Sequence, residues 1–214
     1  DFDKKVQRTK KRPIASGKIS VKNSLIYVVI LCSIAFVILV QFNLLTIILG
    51  LCSMLLAFSY PFMKRITYWP QLFLGLTFNW GIIMAWTAMN NDISLEIIFL
   101  YIAAIFWTLG YDTIYGAQDM ADDEIIGLKS TSLKFKKDIK LFVGISYLIT
   151  LVLIVYLFLG EMGKNLFSLL LLLFAISLIL QLINFDKNNP QKCLSSFKLN
   201  NYSGLLLFLT ILKI

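Results

Sequence analysis

The sequence predicts an all-α fold, a multi-pass transmembrane helical bundle, and three observations carry that prediction. Of its 214 residues 58% are hydrophobic and only 15% are charged, and its mean hydropathy is +0.79, more apolar surface than a water-soluble domain can hide. The apolar residues gather into runs near the ~20 residues that a helix needs to cross a bilayer. The Lys and Arg residues stand between these runs, on alternate connections.

Six runs reach spanning length within a few positions: residues 24–42, 44–60, 70–89, 93–111, 141–160 and 166–185. A seventh begins near Tyr202 and runs to Ile214; it is short, either clipped or lengthened by residues 198–201 at its start. No connection is long enough for a soluble domain, so residues 1–214 read as one domain. The first 23 residues are polar and basic and do not resemble a signal peptide.

If each run crosses once, residues 1–23 carry eight Lys or Arg, the turn after Tyr60 carries Lys64 and Arg65, residues 118–140 carry five and residues 186–198 carry three. All four segments fall on one face. The opposite face receives only Lys164 and Lys213. By the positive-inside rule the basic face is cytoplasmic, or matrix-facing in a mitochondrion. The net charge of +8 is thereby explained as topology, with no nucleic acid partner. Tyr60, Tyr68 and Trp69 cluster at one predicted water boundary, where amphipathic rings settle.

Histidine is absent, which removes Ser-His-Asp and Cys-His nucleophiles and histidine-ligated zinc or haem. Cys32, Cys52 and Cys193 have no metal or redox spacing, and the first two read as small core residues. Carboxylates, Tyr, Lys and Arg are left to do any chemistry. Asp112, Tyr115, Asp119 and Asp123 are spaced by three, four and four, so they form one stripe if the helix persists past Tyr111. Stacked carboxylates repel unless a cation sits among them, and the Asp119 and Asp123 pair suits a divalent metal bridging to diphosphate oxygens, with Mg2+ first choice. Asp3, Arg8, Arg12, Lys64 and Arg65 share that face, so groups for metal and groups for phosphate occupy one surface.

These residues resemble a known family. D-K-K-V-Q-R-T-K-K-R-P-I-A-S-G-K-I-S from Asp3 is similar to the segment following the first aspartate motif of the UbiA membrane prenyltransferases. Y-P-F-M-K-R-I-T-Y-W-P-Q from Tyr60 and Y-D-T-I-Y-G-A-Q-D-M-A-D-D-E-I-I-G-L-K-S-T from Tyr111 resemble their 4-hydroxybenzoate polyprenyltransferase branch, and L-N-N-Y-S-G-L continues the likeness near the C-terminus. Of the first motif, N-D-x-x-D-x-x-x-D, only Asp3 matches, as its last aspartate. The resemblance implies a nine-helix fold of which seven spanning helices remain here, an N-terminally truncated chain lacking the first helix and most of the second.

The resemblance further implies Mg2+-dependent transfer of a polyprenyl group from an allylic polyprenyl diphosphate to the ring carbon beside the hydroxyl of 4-hydroxybenzoate, a step of ubiquinone biosynthesis in the bacterial inner membrane or, alternatively, the mitochondrial one. Asp3, Asp119 and Asp123 are then metal ligands. Arg8, Arg12, Lys64, Arg65 and Lys129 bind substrate, Arg65 being the favoured partner of the 4-hydroxybenzoate carboxylate. Tyr115 faces the allylic cation, and Asp112 or Asp122 orients the phenol or takes the ring proton. Trp80, Met84 and Trp86 are candidates for lining a cavity for the isoprenoid tail, open to the lipid bilayer. No obligate protein partner is evident. Other acceptors within the family (naphthoate, haem, glycerol phosphate), a transporter and a non-catalytic binding protein are the rival readings. A transporter predicts acids in helix centres on both halves of the bilayer, whereas here they lie on one face.

Overall fold

The computed structural model describes residues 9–163 and 165–212, and all the regular secondary structure among them is helical. In order come α1 (Val21–Leu39), α2 (Leu44–Ile66), α3 (Pro70–Phe78), α4 (Trp80–Asn90), α5 (Leu95–Gly116), α6 (Met120–Ile126), α7 (Thr131–Lys134), α8 (Ile139–Leu157), α9 (Asn165–Asn184) and α10 (Pro190–Leu212). Helix starts follow local chemistry. Ser20, Asn43, Ser94 and Ser130 each accept a backbone N–H of the first turn on a side-chain oxygen, and Pro70 opens α3 where its missing N–H costs nothing.

Among the described residues six helical segments are long and apolar enough to span a membrane, so the protein is an integral membrane protein. That is one fewer than the seven runs suggest. The seventh run lies in α10, a single 23-residue helix whose first half, P-Q-K-C-L-S-S-F-K-L-N-N, is polar, and this dilutes its hydropathy. The third run is broken: α3 and α4 meet at Asn79. Its amide donates to Gly75 O at 2.9 Å, Ala104 O at 3.2 Å and Thr108 Oγ1 at 2.8 Å, tying the break to α5.

The core is built on α5, which packs against α3, α8 and α10, while α9 pairs with α10. Ile114, Ile139, Val143, Ile154, Phe174, Leu178 and Phe185 are among its fully enclosed apolar side chains. Close approach of α5 and α8 depends on Gly110, where a Cβ would run into the Tyr147 ring. The buried Tyr147 hydroxyl donates to Gln181 Oε1 at 2.6 Å, and Gln181 Nε2 donates to Ser203 Oγ at 2.9 Å, so a satisfied polar chain links α8, α9 and α10. The expectation that Cys32 and Cys52 are core residues is not met: Cys52 is exposed and Cys32 half-buried, and only Cys193 is buried. An apolar run that faces lipid has no reason to bury its cysteines.

Hydrogen bonds join three of the four basic segments, those holding Lys64, Lys129 and Lys187, at one end of the bundle. Lys129 N–H donates to Lys64 O at 2.8 Å and Lys187 Nζ to Lys136 O at 2.9 Å. At the other end Asn43 Nδ2 donates to Thr87 O at 2.7 Å, joining the α1–α2 turn to the close of α4.

Candidate functional site

The site lies where α5 leaves the bundle at the basic end. The helix runs past Tyr111, as the predicted stripe requires, but stops at Gly116, and a 3-10 turn over Ala117–Asp119 intervenes before α6. The tighter turn changes the phase. Asp119 and Asp123 are buried, 5% and 1% exposed, whereas Asp112, Tyr115 and Asp122 are half-buried. This is no solvated acidic loop.

Two neighbourhoods result, and α2 joins them. Lys64 Nζ lies 3.4 Å from Asp123 Oδ2, and the charges of Asp119 and Asp122 also act on that carboxylate. One turn earlier on α2, the Tyr60 hydroxyl feels the charges of Asp112 and Arg12 and the nearby Tyr115. Residues four apart share a helix face, so Tyr60 and Lys64 place the two neighbourhoods side by side. Arg65, the next residue on α2, is exposed. The Tyr115 ring packs on Phe197 of α10 at a centroid distance of 4.5 Å. Arg12 is exposed; Asp3 and Arg8 lie outside the described residues.

Lys129 is brought in by a helix ending. Gly127 adopts φ 77°, the left-handed geometry that closes helices. Asp123 O then accepts the N–H of Gly127 and, at 2.8 Å, that of Leu128. The reversed chain lays Lys129 beside α2, its ammonium donating to Ile66 O at 3.1 Å and standing 5.6 Å from the Tyr68 ring centroid. A cation at the carbonyl end of a helix is favourable.

Beneath the acids is a polar clasp that sequence reasoning missed. Thr131 N–H donates to Gln71 Oε1 at 3.0 Å, the Thr113 and Thr131 hydroxyls share a bond of 2.7 Å, and Ser132 Oγ donates to Thr113 O at 2.7 Å. All four residues are buried. Gly116 leaves room for them, since a Cβ there would stand 2.9 Å from both Gln71 Nε2 and Ser132 Oγ. The clasp fixes the segment carrying Lys129 against α3 and α5. Tyr60 also escaped notice as a site residue, because ring position at a water boundary explained it. Trp80 and Met84 are packing residues: the Trp80 indole donates to Leu49 O at 3.0 Å, and Met84 sits against Gly50. Trp86 Nε1 donates to Asp92 Oδ1 at 3.0 Å, at the opposite end.

One atom tests whether these acids fit a cation. Asp123 Oδ1 is buried and has no hydrogen-bond partner among the described residues. An enclosed carboxylate oxygen in that state costs free energy that a bound cation would remove. The two carboxylates therefore fit a divalent ion, although no group of three or more ligating side chains is gathered among the described residues. Substrate phosphates commonly complete such a shell.

Buried acids and basic side chains thus stand together at one surface of a membrane-spanning bundle. The sequence model of the UbiA prenyltransferase family matches residues 1–205, and the chain belongs to that family. It is 41% identical over 213 residues to the mitochondrial 4-hydroxybenzoate polyprenyltransferase of Bos taurus, covering 99% of this chain and 57% of that protein. It is 38% identical over 208 residues to the 4-hydroxybenzoate octaprenyltransferase of Vibrio vulnificus, covering 97% of this chain and 73% of that one. The chain thus spans little more than half the length of the bovine relative. The solved apo structure of a UbiA homolog from Aeropyrum pernix K1 superposes with a TM-score of 0.82 at 24% identity, over 99% of this chain and 79% of that one, and this likeness shows the fold.

Proposed function

We propose that the protein transfers a polyprenyl group from an allylic polyprenyl diphosphate to the ring carbon beside the hydroxyl of 4-hydroxybenzoate, with Mg2+ as cofactor, as a membrane step of ubiquinone biosynthesis. The observation that carries this reading is the buried, incompletely partnered Asp123 carboxylate beside Asp119 and Lys64. The names of the bovine and Vibrio relatives supply the acceptor and the donor class.

Two Mg2+ ions, one held by Asp119 and Asp123 and one by the first aspartate motif to which Asp3 belongs, would neutralise the diphosphate and ease its departure. The chain's own groups do the rest. Lys64, Lys129, Arg8 and Arg12 bind diphosphate oxygens, and their charge opposes the negative charge that grows as the C–O bond breaks. Arg65 holds the carboxylate of 4-hydroxybenzoate in a two-point grip. The Tyr115 ring, steadied by Phe197, faces the electron-poor allylic carbon. The acceptor carbon attacks that carbon and loses its proton to a carboxylate. Asp112 is favoured over Asp122, because it shares a neighbourhood with Tyr115 and Tyr60, whereas Asp122 acts on Asp123. Water is kept out by the bundle, and the isoprenoid tail remains in lipid. The active face is cytoplasmic in a bacterial inner membrane; the bovine name favours the mitochondrial matrix as second reading.

The test uses membranes containing the protein as expressed from its gene, with labelled 4-hydroxybenzoate and a polyprenyl diphosphate. Labelled prenylated product should form with Mg2+ and vanish with chelator. Product formed equally well in chelator contradicts the proposal.

A further inference from the structure

A pocket of about 530 Å³ opens at the basic end between the start of α8 and the turn joining α9 to α10. Lys137, Lys140, Lys187 and Lys192 line it, with Asp138 and Asp186 as its acids, and no residue of the Asp119 and Asp123 site does. Two of the lysines are engaged. Lys187 donates to the Lys136 carbonyl, and Lys192 pairs with Asp186 at 3.9 Å, whose Oδ1 also accepts the Asn188 N–H. The ammonium groups of Lys137 and Lys140 make no ion pair or hydrogen bond among the described residues. Asp138 does not cap α8 with its side chain, so the positive end of a 19-residue helix adds to their field.

The rest of the lining is apolar and of two kinds. Ile139 and Phe185 are buried, whereas Leu141 and Ile183 are 64% and 66% exposed. Both belong to helices that cross the bilayer. Charge thus sits where α8 and α9 leave the membrane, and greasy side chains continue outward into it. A soluble anion would use the first half of this surface and waste the second. A molecule with a phosphate head and hydrocarbon tails uses both.

We propose that this pocket binds an anionic phospholipid of the leaflet on the basic face, its phosphate held by Lys137 and Lys140 at the head of α8 and its acyl chains laid along Leu141 and Ile183. The bound lipid anchors the segment from Lys134 to Lys140, which reaches the candidate site through Lys136, paired with Glu124 at 2.6 Å.

The full chain in detergent is titrated with phosphatidylglycerol, phosphatidylcholine or inorganic phosphate while its thermal unfolding is followed by tryptophan fluorescence. Phosphatidylglycerol should raise Tm by a few degrees, as ligand linkage requires, and the other two should not. Lys137→Ala with Lys140→Ala should abolish most of that rise. Lys18→Ala with Lys22→Ala, an equal loss of charge outside the pocket, should retain it. No rise with phosphatidylglycerol, an equal rise with phosphatidylcholine, or an equal loss in both variants overturns the proposal. A saturable rise with inorganic phosphate alone identifies a free-anion site and overturns the lipid assignment.

Discussion

Replacing Gly116 with Ala tests whether the clasp beneath the acids is rigid. Gly116 has φ −65° and ψ −20°, so Ala suits its backbone, and the whole effect comes from the added carbon. That carbon would stand 2.9 Å from Gln71 Nε2 and 2.9 Å from Ser132 Oγ. Neither side chain is free to swing, since Gln71 holds the Thr131 N–H and Ser132 holds the Thr113 carbonyl. Crowding of this kind costs about 1–3 kcal/mol, and a broken buried hydrogen bond adds about 1 kcal/mol. The better helix propensity of Ala returns up to ~1 kcal/mol. The net loss is about 1–3 kcal/mol, which for a chain of this size lowers Tm by roughly 5 °C. Gly144→Ala is the control, because its Cβ would meet only Leu182 Cδ1, at 3.8 Å. Thermal unfolding in detergent should therefore separate the two variants, Gly116→Ala falling and Gly144→Ala unchanged or higher. Equal Tm values would refute the claim that the clasp is tightly packed.

Gly127→Ala should cost about 1–2 kcal/mol, the strain of a left-handed backbone, whereas Gly127→Asn should cost less, because Asn tolerates that geometry; unfolding midpoints check the order. Arg65→Ala should raise KM for 4-hydroxybenzoate about tenfold or more, the worth of a charged two-point contact, with little change for the diphosphate. An unchanged KM removes Arg65 from its assigned role. Glu124→Gln should leave stability within about 0.5 kcal/mol, since its partner Lys136 is also largely exposed.

Much of the architecture was legible because lipid imposes a simple code. Apolar runs of spanning length became helices within a few residues of their expected ends, and the alternation of Lys and Arg grouped three segments that hydrogen bonds unite at one end, those of Lys64, Lys129 and Lys187. That grouping put Lys64 on the same face as the acids, and the structure brings it within 3.4 Å of Asp123. Departures came where a contact distant in sequence overruled local pattern. Asn79 breaks a run of good helix formers by bonding to Ala104 and Thr108 on another helix. The 3-10 turn at Ala117–Asp119 interrupts the helix between Tyr115 and Asp123, an interruption that side-chain spacing does not encode. Gln71 and Thr131, 60 residues apart, carry no signal of their pairing in either segment. Lys129 was legible as a cation, but its capping of α2 depends on the reversal at Gly127.

The measurement closest to the central claim is binding, separated from turnover. A polyprenyl thiodiphosphate, which resists ionisation, is titrated onto the detergent-solubilised protein with Mg2+, and onto a variant carrying Asp119→Asn with Asp123→Asn. Buried carboxylates that grip diphosphate through a cation predict Mg2+-dependent binding that weakens by about tenfold or more in the variant, the effect of losing charged ligands. Equal affinity in both proteins, or binding indifferent to Mg2+, would contradict the account.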